Sequence, residues 1–256
     1  MANYDQIMDT INSKMDRELN LFNQNFERIL KRVQKEVEIR AVQLIDDPLL
    51  FDREFQAILS DTGYYRLIND FIDNSYDKTY GEIQALLNES GIQTVFTQAD
   101  LDVIRDIKRL DIQTFRDVGN QAAASLKRDL YKYSLSNLSQ VEIADNIAQS
   151  LAGTSLAKYS KTYAETALSD FQQKLIDNSV SDIADQLVYV YRGPTPDGKI
   201  RDFCKCVINQ NKYYTLEESN KLKNDPRRKW NCRHEVAPMI EELAISEGYT
   251  KGNFSC

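Results

Sequence analysis

Three of the four cysteines and the single histidine of this 256-residue chain fall in one short stretch near the C-terminus: Cys204, Cys206, Cys232 and His234. They are spaced as C-x-C followed by C-x-H. Residues i and i+2 of a strand face the same side, so each pair placed on a strand presents two donors together. Three thiolates and an imidazole complete a closed tetrahedral zinc site, which would hold together a small lobe with little core of its own. A C-x-C pair is tighter than the usual zinc-finger spacing. The same residues also fit a buried reduced cluster, its thiols packing as small apolar groups, or a disulfide such as Cys204–Cys232. The fourth cysteine, Cys256, is the last residue and reads as a frayed bystander. A thiolate–imidazole pair made from Cys204 or Cys232 with His234 is the nucleophilic alternative. The sequence offers that pair no glycine-rich loop after a strand and no orienting partner, and it contains no Walker loop, dinucleotide fingerprint or H-E-x-x-H. A non-enzymatic protein is the expectation.

Around these residues the charge changes sign. From Lys199 to His234 there are ten basic side chains and four acidic ones, a net of +6, within a chain of net charge −7. Lys221, Lys223, Arg227, Arg228, Lys229 and Arg233 are the candidates for meeting an acidic protein surface or a nucleic-acid backbone, with Tyr213, Tyr214 and Trp230 as stacking groups. An unevenly charged but merely solvated surface, with those aromatics in the core, is the plain alternative. Apolar residues make up 42% of the chain and charged residues 28%, ordinary for a globular fold. No run approaches the roughly 20 apolar residues of a membrane span. The opening Met1-Ala2-Asn3-Tyr4-Asp5 lacks the basic-then-apolar pattern of a secretory signal. Synthesis in the cytosol, with use there or packing into an assembly from there, is the expectation.

The elements that must position the cluster are mostly helical. Apolar residues recur from Tyr4 through Met8, Ile11, Met15, Leu19, Phe22, Phe26, Leu30, Val33, Val37 and Ala41 to Leu44, in an eleven-residue repeat. That period is close to the natural helical one and predicts a single long helix with a nearly straight stripe, about 60 Å in length. Asp47-Pro48 ends it. A second long helix follows through Tyr64, Ile68, Ile72, Ile83 and Leu87, with a kink expected near Gly81. A third is expected to start at Thr97 and to carry Phe115, Val118, Ala122, Leu126 and Leu130 on one face. Ser139-Gln140-Val141-Glu142 is a capping box opening a short helix, and Ser155 to Asn178 forms the last long one. Beyond Ser181 the pattern shifts. Leu187 to Tyr191 reads as a strand, Pro194 to Gly198 as a turn, and Ile200 to Val207 as a returning strand. Thr215-Leu216-Glu217-Glu218 is a second capping box. The expected fold is mainly α, with an elongated helical body and a small C-terminal α+β lobe bearing the Cys/His cluster. The expected division is 1–48 for the long helix, 49–180 for the helical body and 181–256 for the lobe.

This order of features resembles the phage head morphogenesis family, the Mu F-type minor head proteins of tailed bacteriophages. The stretch Ala157 to Thr166 looks like the family's A-R-T-E-like helix segment, and Asp197-Gly198-Lys199-Ile200-Arg201 looks like its D-x-R-x-R segment. Cys204 falls where the family commonly has a histidine. Asn231-Cys232-Arg233-His234 looks like its N-C-R-H, followed by the trailing Pro238. Lys199 replaces the first arginine, the tryptophan usual before the turn is missing, and Cys206 is additional. The resemblance spans about residues 95–240. It implies a minor capsid protein, made in the host cytoplasm and carried in the virion in several copies at the portal vertex. Its partners would be portal or major capsid protein and DNA, its roles head assembly and DNA packaging or ejection.

Overall fold

A computed structural model describes residues 4–45, 47–89, 91–92, 98–193, 200–228 and 234–256. The fold is mainly helical, with a long N-terminal helix and a smaller C-terminal region that contains strands and two linked cysteines. Helix α1 runs unbroken over Tyr4–Leu44, as its eleven-residue repeat predicts. From Ile11 on, the stripe is buried at Met15, Leu19, Phe22, Phe26, Val33, Val37, Ala41 and Leu44, with Ile29 buried and Leu30 half-buried. A 3-10 turn at Pro48–Leu50 leads into α2, Phe51–Asp61. Gly63, at φ +88°, then turns the chain into α3, Tyr64–Glu89. The expected kink near Gly81 does not interrupt α3. Gly81 is exposed, and its missing side chain leaves only open space. Helix α4 covers Gln98–Ser134, α5 Gln140–Ser150 and α6 Ser155–Ser179. Thr97, the expected cap of α4, lies outside the described residues.

The chain divides into two compact units, and the division cuts α1, α3, α4 and α6. The first holds residues 18–74 and 108–165 and is helical throughout. Its centre is aromatic. The Phe22 ring lies 4.6 Å from Phe71, 5.9 Å from Phe26 and 6.1 Å from Phe115. Tyr64 donates its buried hydroxyl to the Phe115 carbonyl at 3.0 Å, which satisfies a polar atom that burial would otherwise penalise. Gly119 lets α4 approach α2 closely, because a Cβ there would sit 2.9 Å from Leu59 Cδ1.

The second unit holds residues 1–17, 75–107 and 166–256. Its helical part is anchored by Tyr76, stacked on Phe171 at 3.8 Å and donating to the Ala167 carbonyl. The remainder is the C-terminal lobe. Strands β1 (Val188–Arg192), β2 (Lys212–Tyr214), β3 (Glu235–Met239) and β4 (Thr250–Lys251) form one sheet in the order β3-β1-β2-β4. Both neighbours of β1 are antiparallel, and β4 lies parallel to β2. Helices α7 (Asp202–Asn209), α8 (Leu216–Lys223) and α9 (Glu241–Ser246) connect the strands.

The expected strand over Ile200–Val207 is therefore wrong: most of it is helix α7. The two edges of β1 are already taken by β2 and β3, so no hydrogen-bonding edge remains for it. Asp202 opens α7 in its first turn, and Cys204 and Val207 form its buried i, i+3 face. Strand β3 carries Pro238, which a central strand would not tolerate. Here β3 is an edge, and Gln173 of α6 occupies its outer side. The Val236 N–H donates to Gln173 Oε1 at 3.1 Å, and Gln173 Nε2 donates to the Val236 carbonyl at 3.3 Å. The amide side chain thus stands in for a further strand. Pro238, two residues on, turns its missing donor to that same outer side. Among the described residues no helix is long and apolar enough to cross a membrane.

Candidate functional site

The four proposed ligands do not share one environment. On a helix, residues two apart diverge by about 200° around the axis. Cys204 therefore turns inward, 2% exposed, while Cys206 faces outward. The C-x-C pair does not present two sulfurs to one point, which corrects the geometry expected of a strand. Cys206 is joined instead to Cys256 by a disulfide, across a Cα–Cα separation of 6.2 Å. In that oxidation state it has no thiolate to offer a metal. Cys256, read from the sequence as a bystander, is thus a structural partner. Among the described residues no group of three His, Cys, Asp or Glu side chains is arranged to hold a metal ion. Cys232 lies outside the described residues.

Cys204 and His234 do come together, through Tyr191. The Tyr191 Oη and Cys204 Sγ are 3.4 Å apart. The Tyr191 and His234 rings stack at 5.4 Å, within 10° of parallel. The sheet register explains this. Tyr191 pairs with Val236, and His234 precedes Val236 by two residues, so all three lie on one face. Gly193 lies against the imidazole, since a Cβ there would overlap the His234 ring. The His234 carbonyl accepts from Arg228 Nη2 at 2.8 Å, and the same nitrogen reaches Gln173 Oε1 at 3.4 Å. A thiol, a phenol and an imidazole are thereby packed as a layer beneath α7. A nucleophile must meet its substrate, and the near-complete burial of Cys204 and His234 favours packing over catalysis.

The opposite face of the sheet holds charges that the sequence reading did not single out. Glu235 is 3% exposed, and its Oε2 finds no hydrogen-bond partner among the described residues. Burial pushes its carboxyl up to about 8, opposed only in part by the Arg228 cation. Opposite Glu235 in the register is Arg192, which is ion-paired with Glu247 and lies 5.1 Å from the Tyr249 ring. The one available signal for Glu235 was its position. It is a lone acid opening Glu235-Val236-Ala237-Pro238-Met239, an otherwise apolar run.

The described basic candidates are engaged by groups of the lobe and of α6. Lys221 pairs with Glu217 at 2.9 Å and also with Glu218. Lys223 pairs with Asp177 at 2.6 Å and lies over the Tyr189 ring at 5.2 Å. Arg227 grips both oxygens of Asp225, at 2.9 and 2.7 Å, and covers the Phe203 ring at 4.8 Å. Arg227 holds the Asp225 carboxyl below its ordinary range, chiefly through that hydrogen bond. Lys229 and Arg233 lie outside the described residues, as does Trp230. Tyr213 and Tyr214 are buried, and Tyr213 donates to Glu241 at 2.6 Å, so neither ring is presented for base stacking. The chain matches no protein-family model, no curated protein and no solved structure.

Proposed function

We propose that this chain is a non-enzymatic structural component of a bacteriophage head, a minor capsid protein of the head morphogenesis type. The order of elements within the resemblance carries the reading: the helices α4 to α6, then a strand-containing lobe in which His234 of the N-C-R-H segment is buried. Large apolar side chains on the helical surfaces support a docking role. Leu135 is 90% exposed and Val141 73% exposed, flanking the α4–α5 turn with Leu138 between them. The partners in this reading are portal or major capsid protein, with several copies in the assembly and roles in head assembly and DNA packaging or ejection. Protein inventories of purified virions and procapsids test it. The chain should be present in both and should co-purify with portal protein; absence from both particles would remove the proposal.

DNA binding through the basic segment is the second reading, motivated by its net charge of +6. The internal pairing of Lys221, Lys223 and Arg227 weighs against it. Phosphate contacts release counterions, so an authentic DNA affinity must fall steeply between low and physiological salt. The zinc expectation now concerns Cys204 and His234 with Cys232. Elemental analysis of the purified protein before and after chelation tests it: about one zinc per chain supports a metal clip, and none leaves reduced thiols or a disulfide.

A further inference from the structure

The last seven residues form a strap across the lobe, and most of what holds them is polar and peripheral. Strand β4 has only two residues, Thr250 and Lys251, and both are exposed. Its attachment to β2 continues through the Thr250 N–H to the Asn211 carbonyl at 3.1 Å and the Gly252 N–H to the Tyr213 carbonyl at 3.2 Å. Beyond it the Phe254 N–H donates to Glu218 Oε2 at 2.9 Å. That contact diverts the acid of the second capping box. Thr215 still accepts from the Glu218 N–H, while the Glu218 carboxylate reaches the strap and Lys221. Gln210 Nε2 donates to the Ser255 carbonyl at 2.6 Å. Phe254 meets Phe203 edge-on at 5.9 Å, with the Arg227 guanidinium near both rings. The covalent tie is Cys206–Cys256, whose two residues are both exposed.

We infer that the Cys206–Cys256 disulfide is a reversible redox latch that holds the C-terminal strap closed over the β2 edge of the lobe sheet. A two-residue exposed strand buries too little apolar surface to hold itself in place. The cross-link makes its docking intramolecular and so raises its local concentration. With the latch open, β2 becomes an edge strand with unpaired backbone groups, the state that natural sheets cover. Opening is thiol–disulfide exchange with a dithiol reductant. One reductant thiolate attacks the Cys256 sulfur, the S–S bond breaks, and Cys206 leaves as a thiolate that takes up a proton. The second reductant thiol then displaces Cys256 from the mixed disulfide. Two protein thiols and one oxidised dithiol result, and closing is the reverse reaction with an oxidised dithiol. A reducing compartment therefore keeps the strap open and an oxidising one closes it. This inference is independent of the head-protein reading.

Hydrogen exchange on the full chain tests it in three states: oxidised, reduced with dithiothreitol, and Cys256→Ser. The oxidised protein should yield a cross-linked peptide joining residues 206 and 256. Reduction and Cys256→Ser should each speed exchange at Gly252 and Phe254 by about tenfold or more, while β1 and β3 keep their protection. Three outcomes would overturn the proposal. One is equal strap exchange in the oxidised and reduced proteins. Another is absence of the cross-linked peptide after oxidation. The third is loss of β1 and β3 protection together with the strap, which makes the disulfide a staple of the whole lobe.

Discussion

The all-helical unit and the C-terminal lobe solve the same problem with different interactions. The helical unit buries a continuous aromatic and aliphatic stripe, with Phe22 touching Phe26, Phe71 and Phe115. Its specificity comes from shape, because many dispersion contacts act along elements that local sequence already favours. The lobe has short strands and short helices. It relies on pairwise polar devices: the Gln173 clamp on β3, the Arg192–Glu247 ion pair, the Arg228 bond to the His234 carbonyl and one disulfide. Each of those devices joins residues distant in sequence or charge groups that need a partner. The helical unit should therefore respond most to lost volume, and the lobe to lost hydrogen bonds, protons and electrons.

Phe22→Ala offers the largest break in that contrast. The ring is buried, and truncating a buried phenylalanine costs about 3–5 kcal/mol. Urea denaturation followed by far-UV circular dichroism should show the helical transition moving to much lower denaturant. A loss below about 1 kcal/mol would mean that the aromatic centre is not packed as described.

Gln173→Ala comes next and acts on the lobe. It removes both side-chain bonds to Val236 and one acceptor of Arg228, leaving buried backbone groups unpaired. An unpaired buried group costs about 1–3 kcal/mol. Exchange at Val236 should accelerate while the amides of Phe22 and Phe26 keep their rates. Equal acceleration at both places would erase the distinction between the regions.

Glu235→Gln sharpens it through pH. The native carboxyl is raised from its ordinary 4.5 to about 8 by burial. Between those values the unfolded chain has released a proton that the native chain retains. Stability is then fully present below about pH 4.5 and is lost as pH rises through about 8. Each tenfold gain in proton affinity on folding corresponds to about 1.4 kcal/mol. Glutamine keeps the neutral shape, so the variant should be more stable than the parent at pH 8 and flatter between pH 5 and 8, read from denaturant midpoints. A parent whose midpoint rises over that range would contradict the burial of an uncharged Glu235.

What the sequence disclosed follows the same division. The range of α1 was legible because its stripe repeats over 41 residues, so the pattern outweighs any single position. The start of α5 was legible because a cap is a local signal. Helix α7 was not, since its place after a strand and a Pro/Gly turn reads as the returning arm of a hairpin, while Cys204 and Val207 are spaced for a helix. Only competition for the edges of β1 settles it, and that information is non-local. The Cys206–Cys256 pairing was hidden for the same reason, its partners being 50 positions apart in sequence and the second lying beyond a strand of only two residues. Glu235 was passed over because a lone acid in a strand reads as solvent-facing until the register puts it inside.

The smallest effect belongs to the most local device. At the start of α5, Ser139 accepts from the Glu142 N–H at 3.3 Å, and Glu142 Oε2 accepts from the Ser139 N–H at 2.8 Å. That backbone bond, with the one from the Ser139 hydroxyl, holds the Glu142 carboxyl below its ordinary value. The cap's contribution is therefore present at neutral pH and fades only as acid titrates the carboxylate. Ser139→Ala removes the hydroxyl but keeps the backbone donor, so it should cost about 1 kcal/mol and no more. Ser139→Gly should cost only a few tenths of that, because glycine is itself tolerated at this position. Thermal melts of both variants provide the measurement. Ser139 lies in the helical unit, yet its loss should leave Phe22 and Tyr64 protected, since α5 keeps Ile143, Ala144, Ile147 and Ala148 buried. A cap that unravelled the aromatic centre would show the helical unit to depend on polar devices as much as the lobe does.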